Sequence, residues 1–407
     1  MILEEKLKKI KQLLILGISG VIIGAVVGTL DAGFGEILIF LTGLREQHFI
    51  PLILFLPVAG IVIAKSYSLV GGKCVKGMGL IFQVGHGEEE VIPLRLIPLT
   101  VIGTWITHLF GGSAGREGVA VQIGATFSHW VGRKINMGDD SKIFLVTGMA
   151  AGFSGLFETP IAACFFALEV LIAGTLQYTA LFPAIVAAFV ANMVSRGLGL
   201  EKFHYALHTQ IQINPAFILK VILLGIIFGI VGALFAHGLK LAKERFNKIF
   251  DSSVKKIAVI GTVLAILFIL SGMGRYSGLG TNLISASFQG NKIYQWDWIL
   301  KFVLTIVTLA AGYQGGEVTP LFAIGSSLGA ALAVVLGMPI EFAAALGYVA
   351  VFGSATNTLL APVFIGAEVF GYSYMPYFFM VCCVAYIFNE DKSIYTAQKK
   401  LQDMTLF

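Results

Sequence analysis

The 407-residue sequence predicts an all-α, polytopic membrane protein of two inverted-topology repeats with broken and re-entrant helices. Three observations carry that expectation. Apolar residues make up 57% of the chain and charged residues 13%, where a soluble domain carries about 25% charged. The apolar runs are short and 48 glycines fall among them, a pattern of helices that stop inside the membrane or pack closely. The chain also resembles itself at a fixed offset, the mark of an internal repeat.

In chain order, "MILEEKLKKIKQLL" is lysine-rich and amphipathic, and its apolar continuation lacks the small-residue cleavage site of a signal peptide. Residues 1–12 are therefore expected as a retained cytoplasmic N-terminal helix, by the positive-inside rule. Apolar stretches follow at Leu13–Leu30, Leu52–Ala64, Leu181–Met193, Phe217–Phe235, Ile257–Leu270, Phe302–Ala311 and Tyr377–Phe388. Several fall short of the roughly 20 residues of a straight span. "TGMAAGFSGLFETPIAACFFALEV" (147–170) lies without gaps over "LGYVAVFGSATNTLLAPVFIGAEV" (346–369), pairing Phe165 with Phe364 and Glu169 with Glu368. A similar offset lays Gly115 on Gly316 and Gly124 on Gly325. The expected division is a first membrane repeat over 13–200 and a second over 201–407, with no soluble regulatory domain after Phe407.

Composition also excludes several functions. The net charge is only +5 and no basic run is interleaved with aromatics, so nucleic acid is not an expected partner. Cys74, Cys164, Cys382 and Cys383 sit in or beside apolar runs without metal-ligand spacing and read as buried free thiols. The seven histidines, His86, His108 and His129 among them, form no cluster. No Walker loop and no HExxH motif is present. No metal, no cofactor and no enzymatic role are expected; the lipid bilayer is the chain's surroundings.

"GGSAGREGVAVQIGA" (111–125) sets Arg116 and Glu117 at the mouth of an apolar helix. A carboxylate at membrane depth is costly and faces a pathway or a cavity. Each half carries such a glycine-rich break, and a transporter's midplane site lies between paired breaks. Backbone N–H groups at a helix start lack intrahelical acceptors and sit at the positive end of the helix dipole. Such an end attracts anions, so the substrate is expected to be an anion.

These residues resemble the CLC family of anion channels and proton-coupled exchangers over nearly the whole chain from Leu13 onward. "GREGV" is similar to the family's GREGP loop and puts Glu117 at the gating glutamate, with Val119 in place of proline. "GGEVTP" is similar to the second-half GxFxP loop, with Val318 at the phenylalanine position between Glu317 and Thr319. "SIYTA" resembles the segment of the pore tyrosine, here Tyr395. "GMGLI" stands where the family has GSGIP, so Met78 replaces the serine whose hydroxyl faces the central anion. The inward proton-transfer glutamate of the chloride exchangers falls on Val170, which carries no proton. Loss of the serine together with Glu317 and Thr319 resembles the fluoride-transporting bacterial branch, whose members are fluoride/proton antiporters.

The resemblance implies a CLC fold in a homodimer with one pathway per subunit, multi-pass in the bacterial inner membrane, with fluoride and protons as substrates. Glu117 and Glu317 are the implied gating and proton residues. Met78, Gly79, Phe82, Gly115, Arg116, Gly118, Val318, Thr319 and Tyr395 are the implied anion-binding set. Glu158, Glu169 and Glu368 lie near helix ends and read as solvated or cap-paired carboxylates, and "GEEE" (87–90) as a loop face. A chloride or nitrate exchanger or channel of the same fold is the alternative. An intramembrane enzyme or sensor lacks a visible nucleophile and base or an appended ligand-binding domain.

Overall fold

The computed structural model describes residues 2–135, 141–211 and 214–401. Met1 and 402–407, where the expected N-terminal segment begins and the second repeat ends, lie outside the described residues. The first half runs through α1 (Ile2–Gln47), α2 (Phe49–Leu54), α3 (Leu56–Ser66), α4 (Met78–His86), α5 (Leu96–Leu109), α6 (Glu117–Ile135), α7 (Ser141–Leu156), α8 (Pro160–Glu169) and α9 (Leu181–Gly197). The second runs through α10 (Pro215–Ile249), α11 (Ser253–Leu270), α12 (Thr281–Phe288), α13 (Asp297–Ala311), α14 (Val318–Leu336), α15 (Ile340–Thr356), α16 (Leu360–Phe370) and α17 (Met375–Ile387). Two-residue strands β1 (Ile172–Ala173) and β2 (Lys399–Lys400) pair in parallel and tie the chain beyond Tyr395 to the end of α8. Among the described residues, six helical stretches, α1, α9, α10, α11 and α14 among them, are long and apolar enough to cross a membrane.

Residues 2–12, expected as an N-terminal helix, are helical and continue without a break into the rest of α1. One expectation about elements changes. Leu52–Ala64 is not one run: α2 stops at Leu54 and α3 starts afresh at Leu56. Pro57 sits in the first turn of α3, where its missing N–H costs nothing but forbids an unbroken helix through it.

Residues that correspond between the halves meet one another, as a two-fold relation requires. Gly115 and Gly316 form an antiparallel bridge, Gly115 N donating to Gly316 O at 2.5 Å and Gly316 N to Gly115 O at 2.8 Å. Phe165 stacks on Phe364 with centroids 4.6 Å apart and rings 4° from parallel. Each half also packs its site-bearing helix against the next one at glycines: a Cβ on Gly124 would overlap Gly148 O, and one on Gly325 would overlap Gly347 O. Only hydrogen fits there, so α6 presses on α7 as α14 presses on α15.

Helices that start inside the membrane leave backbone N–H groups without acceptors, and no water is at hand to satisfy them. Here each half supplies carboxylates to the other. Glu169, at the end of α8, accepts from the N–H groups of Leu359 (3.2 Å), Leu360 (3.1 Å) and Ala361 (2.8 Å) at the start of α16. Glu368, near the end of α16, accepts from Ile161 (3.1 Å) and Ala162 (2.8 Å) at the start of α8. Replacing a capping acceptor by alanine costs typically about 1 kcal/mol. Both Glu169→Ala and Glu368→Ala are expected to lower the thermal midpoint in detergent, Glu169→Ala the more because three donors lose their acceptor. Unchanged midpoints would remove these carboxylates from the account of the fold.

Candidate functional site

The bridged glycines bring the starts of α6 and α14 together. Glu117, the first residue of α6, is 1% exposed, and its Oε2 accepts hydrogen bonds from the Thr319 backbone N–H (3.1 Å) and from the Thr319 hydroxyl. The Arg116 N–H reaches the same oxygen at 3.4 Å, and Arg116 Nε lies 3.7 Å from Oε1. Arg116 is itself buried, and Nε has no hydrogen-bond partner. A carboxyl oxygen therefore sits on donors at the start of a helix, where the peptide dipoles favour an anion. Val318 and Thr319 are both buried in that first turn of α14. Gly118 packs against Gly316: a Cβ on Gly316 would lie 2.9 Å from Gly118 N.

The remaining expected residues line one cavity of about 650 Å³. Met78 and Gly79 reach it from the start of α4, where Gly77 takes φ +52°, a conformation that a side chain resists. Phe82, one turn further along α4, is fully buried and stacks on Tyr395 with centroids 5.1 Å apart. Tyr395, Glu317 and the cation Lys243 line the cavity. Glu117 and Thr319 lie just behind this wall rather than on it. At the rim, Glu89 takes Lys73 at 2.6 Å and Lys76 at 3.1 Å; these two ammonium groups hold its carboxyl below the usual carboxylate range. Glu88 pairs with Lys399 at 2.6 Å, so the "GEEE" loop is bound to cations as well as solvated. Val170 is buried, and its carbonyl accepts from Gln398 (2.9 Å), part of the tie that holds the Tyr395 segment.

Three groups at the site were not singled out from the sequence. Gln122 lines the cavity one turn along α6; its Nε2 donates to Gly118 O at 3.2 Å and its Oε1 has no partner. The signal for it was a lone amide inside the apolar stretch 119–123. Lys301, 0% exposed on α13, donates to Ser113 Oγ (2.9 Å), Gly278 O (2.7 Å) and Tyr276 O (3.2 Å). Its three donors are thereby matched, and it ties the loop before Glu117 to the turn before α12. Asp297, one turn earlier on α13, holds the same turn through Arg275 and the Tyr276 hydroxyl. A lysine inside an apolar run was the available signal, but its partners are remote in sequence.

Comparison with known proteins bears on this arrangement. The sequence profile of the family described as voltage gated chloride channel matches residues 60–390. A chloride/fluoride channel protein of Pseudomonas syringae pv. tomato is 37% identical over 363 residues, 87% of this chain and 80% of its own. The crystal structure of a CLC-type fluoride/proton antiporter superposes with a TM-score of 0.94 at 52% identity, covering 95% of this chain and 98% of that one. That of a slow cyanobacterial Cl-/H+ antiporter gives 0.83 at 20% identity, covering 96% and 98%, and speaks for the fold alone.

The glycine bridge makes a direct prediction. Gly316→Ala places a methyl group 2.9 Å from Gly118 N, against backbone that has no room to yield. Overpacking of this kind costs about 1–3 kcal/mol. Gly33→Ala, where a Cβ meets nothing within 4 Å, serves as the control. Gly316→Ala is expected to lower the thermal midpoint and the monodisperse fraction in gel filtration while Gly33→Ala leaves both; equal behaviour of the two would contradict the close approach.

Proposed function

Since the chain belongs to the voltage-gated chloride channel family, we propose that it is a fluoride/proton antiporter exporting fluoride from the cytoplasm, in which the Glu117 carboxylate and fluoride alternate on the same donors. The observation that carries this reading is the seat of Glu117 Oε2 on the N–H and hydroxyl of Thr319. Those donors suit a small, hard anion. Fluoride gives up much hydration energy on entering, and dense N–H and O–H donation is what compensates it. Protonating Glu117 removes its charge and weakens its hold on Thr319, which frees the donors for the anion. One proton taken up is thus tied to one anion admitted. The likeness to a fluoride/proton antiporter at 52% identity supports the choice of anion. Met78 supports it too: its thioether offers no donor for a larger anion at the cavity wall.

Glu317, between the cavity and Gly118, takes the second proton-handling role that Val170 has no chemistry to fill. Arg116 neutralises Glu117 while the carboxylate is seated, and the backbone around Gly79, Gly115, Gly118 and Val318 lines the anion's way. Phe82 and Tyr395 form the stacked pair that closes the pathway beside the cavity. The same reading takes the protein as a homodimer in the bacterial inner membrane, each subunit with its own pathway between repeats that meet near residue 200; a detergent-corrected mass of a single chain would contradict the dimer. A channel without proton coupling is the second reading, favoured by the name of the Pseudomonas relative.

One assay separates the two. In proteoliposomes, an outward fluoride gradient is expected to drive proton uptake by the parent protein and not by Glu117→Gln, which keeps the shape and loses the titratable proton. Fluoride flux in the parent with no proton movement would leave the channel. Proton pumping by Glu117→Gln at the parental rate would contradict the gate. Glu317→Gln is expected to slow both fluxes in the same vesicles, and parental rates there would remove its role.

A further inference from the structure

A second carboxyl lies close behind the Glu117 loop and has no part in the cycle just described. Asp31, on α1, is 0% exposed, and neither of its oxygens has a hydrogen-bond partner. It presses on the last turn of α7, where a Cβ on Gly155 would overlap Asp31 Oδ2. Lys202 flanks the neighbouring residue of that turn: its Nζ donates to Ser154 O (3.2 Å) and to Asn192 Oδ1 (2.5 Å). Lys202 is the charge acting on Asp31 among the described residues. Lys202 in turn faces Glu158, Arg116 and Arg196. Glu158 and Arg196 pair at 2.8 Å, with side chains 24% and 73% exposed, so the group runs from the surface to the residue beside Glu117. The same turn of α7 packs its Gly152 on Ala120, in the first turn of α6.

This group lies on the side of Glu117 away from the cavity. α1 and α7 run in the same direction, Leu16 and Ile23 clustering with Phe144, and Asp31 meeting Gly155 further on. Lys76 lines the cavity and pairs with Glu89, which follows directly on α4, whose far end at Gly87 faces Lys142 at the beginning of α7. The cavity therefore opens toward the face where α7 begins, and Asp31 belongs to the half toward which α7 ends.

An ionised carboxylate buried without donors is expensive unless a charge compensates it, and a buried carboxyl with no partner is a candidate proton site rather than a brace. We propose that Asp31 is a further proton-binding carboxyl of the transport cycle, beside Glu117 and Glu317, exchanging protons with the membrane face at which Glu158 and Arg196 emerge, and biasing the charge state of Glu117 through Lys202 and Arg116. The proposal rests on the antiport reading above. In the step, one proton leaves water at that face and one O–H bond forms on Asp31, while Lys202 remains an ammonium. With Asp31 charged, Lys202 is compensated; with Asp31 neutral, the positive charge of Lys202 bears on Arg116 and favours an anionic occupant at the start of α14. Gly155 faces Asp31 from α7 and Lys202 is the charged group that acts on it among the described residues, and Glu36 is the nearest other acid along α1, close to Gly199.

The test uses the full chain in proteoliposomes, with pH varied on the face opposite the cavity. Asp31→Asn is expected to remove one step from the pH profile of fluoride-driven proton exchange. At its plateau the rate is expected to change on the order of tenfold, the scale on which a unit charge acts across a buried site. Lys202→Met, a change on a half-buried coil segment, is expected to displace the step by about one pH unit toward higher pH and covers the case in which Asp31→Asn does not fold. A parental profile and parental proton-to-fluoride ratio in both variants would overturn the proposal. If the parent moves no protons with fluoride, it is the antiport reading that fails. Difference infrared spectroscopy then decides on Asp31: a carboxyl C=O band that titrates in the parent and is lost on changing Asp31 keeps it as a proton site, and the absence of such a band removes it.

Discussion

Everything in this structure turns on helices that begin in the interior of the protein, with Thr319, Ala361 and Ala162 buried at their starts. Their first N–H groups have neither an intrahelical acceptor nor water. In three places the acceptor is a carboxylate from the opposite half: Glu117 at the start of α14, Glu169 at α16 and Glu368 at α8. Two of these form a reciprocal pair, and their donors are backbone alone. The third differs in its surroundings. Glu117 shares its seat with a hydroxyl, has an arginine at its side and stands next to a large cavity. What braces a helix start in two places is, in the reading proposed above, an exchangeable occupant in the third, since the cavity there would give a competing anion access.

The relation between the halves brings the two helix starts together. Gly115 lies against Gly316, which sets the starts of α6 and α14 within reach of one carboxylate. Close packing of α6 on α7 and of α14 on α15 at glycines fixes both helices behind those starts. Lys301 and Asp297, one turn apart on α13, hold the loop before Glu117 and the turn before α12 that it meets. A seat made of backbone N–H groups has little freedom to adapt, so its geometry rests on these surrounding contacts.

Much of this was legible in the sequence, and what was not has a physical reason. Glu117, Glu317 and the bridged glycines stood out because charge and paired glycines are rare in apolar sequence. The long apolar helices α1, α10 and α11 announced themselves by composition. α7 and α15 did not, since helices buried over nearly their whole length show no polar face from which to read a period. The break at Phe55 hid behind continuous hydrophobicity, although Pro57 signalled it. Glu169 and Glu368 read as capped carboxylates, but their partners lie some 190 to 207 residues away and no local pattern reveals which helix start each one serves. Lys301 and Asp31 were hidden for the same reason: each acquires its meaning from a loop or helix turn that only the fold brings beside it.

The central claim is that fluoride and the Glu117 carboxylate compete for one set of donors, so that binding the anion requires a proton. Titration calorimetry of fluoride into the detergent-solubilised parent, repeated in buffers of different ionisation enthalpy, counts the protons taken up with each anion bound. The account predicts net proton uptake at neutral pH, and its disappearance in Glu117→Gln with fluoride binding retained. Fluoride binding to the parent with no proton taken up would contradict it.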